Sequence, residues 1–116
     1  MIIRTTQLIK FETKILENFI LKCREFLLLN YPDHFAKDEI IKMDNFILKA
    51  ISFGEMYEIY HEMNIQKLMA IKMEYQILDY DELPTLLEEI LTYPSRDEDT
   101  KVNYFHKQII HSTDSN

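Results

Sequence analysis

Residues 57–64 read YEIYHEMN, and the fold turns on whether they form a metal centre or a run of ordinary helix. Glu58-x-x-His61 has the carboxylate–imidazole spacing of di-iron bundles. Those bundles need two such motifs and two further glutamates, all pointing inward. The chain has one motif only, because the position three before His106 is Asn103. His61-Glu62 also opens like the helix of a zinc protease, but HExxH requires a histidine where Ile65 stands. The stretch therefore reads as a solvated helical face carrying Glu55, Glu58 and Glu62, with His61 at its edge. No metal ligand and no cofactor is expected.

The rest of the chain favours helices as well. It has 116 residues, one glycine (Gly54), three prolines and a single valine, with Leu and Ile supplying most of the aliphatic content. Turn-rich β-proteins need glycine and Asn-Gly punctuation that is missing here. The length suits one domain, and 47% hydrophobic residues provide one real core. The expected fold is all-α: a compact single-domain bundle of about five or six helices over residues 1–111, with 112–116 as a flexible C-terminal tail.

Apolar spacing places the helices. Leu8, Phe11, Ile15, Phe19, Cys23 and Phe26 follow a three-and-four rhythm, so a first helix runs from a Thr5 or Thr6 cap to about Asn30, before Pro32. Leu21, Leu28 and Leu29 make it apolar on more than one side. It is thus expected to be either the central element or a surface that packs on a second copy. A second helix beginning near Asp33 or Asp38 carries Ile40, Ile41, Phe46, Ile47, Leu48 and Ile51. Ser52-Phe53-Gly54-Glu55 fits a capping box, which would start a third helix at Phe53. That helix either breaks at Asn64 or continues toward residue 80. Asp81 caps the next one, with Leu83, Leu86, Leu87, Ile90 and Leu91 as its stripe and Pro84 in its first turn. SRDEDT (95–100) reads as a loop, and Val102, Phe105 and Ile109 mark a last short helix.

Little in the sequence supports catalysis. Cys23 is the only cysteine and lies on the apolar stripe, which suggests inert packing and a reducing, cytoplasmic setting. One glycine cannot build a phosphate-binding loop, and no nucleophile elbow is present. His106 and His111 are five apart and splay around a helix. The methionines, Met56 with Met63 and Met69 with Met73, are read as core filling. No long apolar segment suggests a signal peptide or a membrane span. A non-enzymatic protein is expected.

Charge carries the functional reading. The net charge is −7, and residues 79–99 hold eight acidic side chains against Arg96 alone. Residues 1–30 lean the other way, with five basic and three acidic groups. An acidic field repels nucleic acid and anionic membranes and speeds encounter with a basic protein. Tyrosines amid carboxylates add rigid contact area. The candidate partner-binding residues are Asp79, Tyr80, Asp81, Glu82, Glu88, Glu89, Tyr93, Asp97, Glu98 and Asp99. Their natural target is a basic protein partner, such as a nuclease or a nucleic-acid-binding complex, which an immunity protein, antitoxin or phage-borne inhibitor would neutralise. Direct nucleic-acid binding is not expected, since Lys10, Lys14, Lys22 and Arg24 are spread thinly on an acidic chain. The alternative is a structural or regulatory helical subunit that forms a homodimer or enters a larger complex through Phe19, Leu21, Leu28 and Leu29.

Overall fold

The computed structural model describes residues 10–35, 39–75, 83–94 and 96–114, and side chains within 14–111 of these. Five helices make up the regular structure of the described residues: α1 (Lys10–Asn30), α2 (Ile40–Met56), α3 (Glu62–Tyr75), α4 (Thr85–Thr92) and α5 (Glu98–Asp114). The chain is an all-α bundle, as its composition implies. The expected caps at Thr5, Thr6, Asp38 and Asp81 lie outside the described residues, whereas α1 ends at Asn30 as the approach of Pro32 requires. Backbone helix continues to Asp114, so of the expected tail only residues 115 and 116 lie outside the described chain.

Helix α3 is the centre of the bundle. Ile65, Met69 and Met73 recur every fourth residue and join Phe19, Cys23, Leu27, Met43, Ile47 and Ile51 in one buried cluster against α1 and α2. Leu68 and Ile71 face a second cluster with Phe53, Ile59, Leu91, Val102, Phe105 and Ile109. A helix buried on two sides shows no clean polar stripe, which is why its boundaries resist a periodicity reading. The expectation that the first helix is central is corrected: α1 lies at the edge, and Leu21, Leu28 and Leu29 stay exposed. The molecule measures 41 × 34 × 20 Å. Its thinnest dimension is only about two helix diameters.

The third-helix boundary also differs from expectation. Ser52 caps nothing; it is an exposed residue within α2, which runs on to Met56. Residues 57–61 are the connection between α2 and α3, so YEIYHEMN is helical only from Glu62. Helix α2 ends in a Schellman arrangement: Ile59 N–H donates to Gly54 O at 2.7 Å and Glu58 N–H to Glu55 O at 3.2 Å. Glu58 takes the left-handed position with φ 60°, where glycine is the usual occupant. Ile59 is fully buried in the same cluster as Phe53, the apolar contact that accompanies this motif. Gly54 serves this turn by its smallness. A Cβ there would sit 2.6 Å from the Ile59 carbonyl oxygen. Met56 and Met63, on either side of the connection, are exposed and not core as expected, and so is Ile41.

Cys23 is wholly buried, and burial pushes its thiol up to about 12, with a hydrogen bond to Gln66 acting in the opposite direction. Burial likewise raises the Tyr31 and Tyr57 hydroxyls. All three hold their protons more tightly folded than unfolded. The stability they contribute is complete below about pH 9, the thiol's unfolded value, and is lost as pH climbs toward 12. Denaturant midpoints measured across this range should fall, and less steeply for Cys23→Ala than for the native chain.

Two substitutions test the helix end. Gly54→Ala should destabilise by about 1–3 kcal/mol despite alanine's helix propensity, because the clash is with backbone. Glu58→Gly should be neutral or stabilising by up to about 1 kcal/mol, as relief of the left-handed strain exceeds the entropy of the added glycine. Urea unfolding followed by circular dichroism reads both.

Candidate partner-binding surface

The predicted acidic residues divide between two roles. Asp79, Tyr80, Asp81 and Glu82 lie outside the described residues. Glu88 and Glu89 are exposed on α4, and the Glu88 charge helps raise the Tyr57 hydroxyl, second to burial. On α4, Leu86 and Glu89 are three apart and share a helical face, and Tyr93 is the residue just past the helix's last residue, Thr92. Leu86 and Tyr93 are each more than half exposed. Leu86 thus departs from its expected buried place, while Leu91 is fully buried and Leu83, Leu87 and Ile90 are half-buried.

The segment after α4 works on the protein itself. The expected loop SRDEDT is cut short: Arg96 and Asp97 lie outside helix, and α5 begins at Glu98. Asp97 caps α5 by accepting from Thr100 N–H at 2.8 Å, and hydrogen bonds from the Thr100 side chain and then its backbone hold its carboxyl below the usual range. Glu98 reaches back 37 and 38 residues to the start of α3. Its Oε1 accepts from Tyr60 N–H and, at 2.9 Å, from His61 N–H, while Oε2 stands 3.1 Å from His61 Nε2. Asp99 Oδ1 accepts from the buried Asn64 amide at 2.7 Å. Lys101, itself buried, donates from Nζ to the Tyr57 carbonyl at 3.1 Å, at the C-terminal end of α2. The first turn of α5 therefore fastens the α2–α3 connection from both sides, anion to N–H groups and cation to carbonyl. Glu98 is a positioning residue, and Asp97 and Asp99 make intramolecular bonds while remaining exposed.

Arg96 balances the surface locally. Its guanidinium lies 4.7 Å from the Tyr93 ring centre and 4.6 Å from that of Tyr104, and Nη1 donates to Ile90 O at 3.3 Å. Tyr93 and Tyr104 are thus pre-set as rigid aromatic surface beside the α4 carboxylates. Sequence reasoning missed the part Arg96 plays; an arginine flanked by tyrosines at i−3 and i+8 was the available signal.

The Glu58-x-x-His61 spacing does not form a helical pair. Glu58 occupies the left-handed turn, and His61 faces Glu98. An open cleft of about 500 Å³ lies beside it, with His61, Lys67, Asp99 and Asn103 among its walls. Among the described residues, no group of three or more His, Cys, Asp or Glu side chains is placed to hold a metal ion. No described helix is long and apolar enough to cross a membrane. Comparison of the chain with models of known families, with curated proteins and with solved structures returns no match.

Removing the Glu98 carboxylate strands two N–H groups at the start of α3. Glu98→Ala should cost about 2–3 kcal/mol, and Glu98→Gln, which keeps an acceptor oxygen, roughly half of that. Thermal melts of the two variants give the comparison, with loss of hydrogen-exchange protection at the first turn of α3 as the local readout.

Proposed function

We propose that this chain is a non-enzymatic, cytoplasmic binding protein that neutralises a basic protein partner through the exposed surface around α4. The observation that carries the reading is the exposure of Leu86 on α4 and of Tyr93 just past its end, with Glu88 and Glu89 exposed between them. Apolar and aromatic area at the centre with carboxylates around it is the composition of an interaction hot spot. Glu88 and Glu89 steer and orient the encounter, and Leu86 and Tyr93 supply the area removed from water. A partner evolved to hold nucleic acid presents the matching positive surface. The functional class is an inhibitor of a nuclease or of a nucleic-acid-binding complex, as an immunity protein, an antitoxin or a phage-borne inhibitor would be. Asp97, Glu98 and Asp99 contribute by fixing the scaffold.

Reversing Glu88 and Glu89 to lysine tests this. The basic protein retained from host extract by the native chain should associate with the E88K/E89K variant about tenfold more slowly at low salt, and with a flatter dependence on ionic strength. Surface-coupled kinetics at several salt concentrations measure both. Retention of no basic protein by the native chain, or an unchanged association rate in the variant, would refute the reading.

A further inference from the structure

The strongest feature outside α4 is the groove between α1 and α2. Arg24 Nε and Nη2 donate to Asp44 Oδ1 and Oδ2 at 2.8 and 2.6 Å, a two-pronged ion pair that fixes one helix against the other. The pair holds the Asp44 carboxyl below its ordinary range through those bonds. Around it the two helices repeat one pattern. On α1, Leu21 precedes Arg24 by three residues and Leu28 follows it by four. On α2, Ile41 precedes Asp44 by three and Leu48 follows it by four. Residues at i, i+3 and i+7 share a helical face. Four aliphatic side chains therefore surround one ion pair, and all four are exposed, Ile41 by 79%. A cleft of about 250 Å³, walled by Glu17, Ile20, Leu21, Arg24 and Asp44, opens into the same surface.

We infer that this face binds a second copy of the chain, two α1–α2 pairs closing into a four-helix interface around a two-fold axis. Charge selects that occupant. The chain as a whole carries −7, which opposes self-association, but α1 holds four basic and three acidic side chains and α2 two of each. This face is near-neutral, so two copies can meet there without the repulsion that the whole chain's charge would bring. A basic partner finds no acidic field there to steer it. Area agrees as well. The exposed parts of Leu21, Leu28, Ile41 and Leu48 come to on the order of 400 Å², so two faces remove about 800 Å², the size of a small, reversible interface. The Arg24–Asp44 pair enters such an interface already satisfied by its partner, which limits the desolvation cost.

Sedimentation equilibrium of the full chain at 5–50 micromolar, roughly the range over which interfaces of this size associate, provides the test. The native protein should run at twice its 14.0 kDa mass. L21E/I41E, which changes exposed positions only, should run as a monomer with unchanged helical content and melting behaviour at matched monomer concentration. E88K/E89K should remain dimeric, which separates this proposal from the α4 reading. A monomeric native chain over that range, or a dimer that survives L21E/I41E, would overturn it.

Discussion

The bundle depends on a carboxylate and an ammonium group arriving from far along the chain. Glu98 takes the N–H groups that open α3, and Lys101 takes the carbonyl that closes α2. Between these contacts the backbone makes its one left-handed turn at a non-glycine residue among those described, Glu58. A strained, polar connection buried against Phe53 and Phe105 would be costly without such partners. With them, α3 can sit in the middle of the molecule with apolar surface on two sides. Both core clusters then form, α1 and α2 on one flank and α4 and α5 on the other.

This arrangement explains why acidic density in a sequence does not tell which carboxylates also hold the fold together. Of the carboxylates gathered late in the chain, Asp97 is spent on a helix cap, Glu98 on another helix's start and Asp99 on a buried amide. Asp97 and Asp99 stay exposed even so, as do Glu88 and Glu89. First-turn acids on α5 also complement its dipole, so the same residues satisfy a local rule and a tertiary one. The charge run was real, but composition could not say which members are also tied into intramolecular bonds.

Much of the fold was legible. Helical content followed from the scarcity of glycine and valine, the end of α1 from Pro32, and the α4 region from its leucine spacing. What failed was the span from Ser52 to Asn64. Ser52 and Glu55 satisfy a local capping pattern, yet tertiary packing carries α2 past them, and the actual stop is a Schellman turn with Glu at the position glycine normally fills. Gly54 serves by its smallness and not by an unusual backbone angle, since it lets the Ile59 carbonyl approach. The clamp from α5 was beyond reach of sequence, since contacts spanning 35 to 44 residues leave no periodic trace.

The distance of that clamp in sequence has a consequence for biogenesis. Helices α1 and α2 are near neighbours along the chain and can pair as soon as both have left the ribosome. The α2–α3 connection has to wait until residues 98–101 are made, because its hydrogen-bond partners do not exist before then. Closing so wide a loop comes late and slows folding. Through that interval the nascent chain holds a half-finished core with its second cluster open, and the vulnerable window ends only when α5 docks.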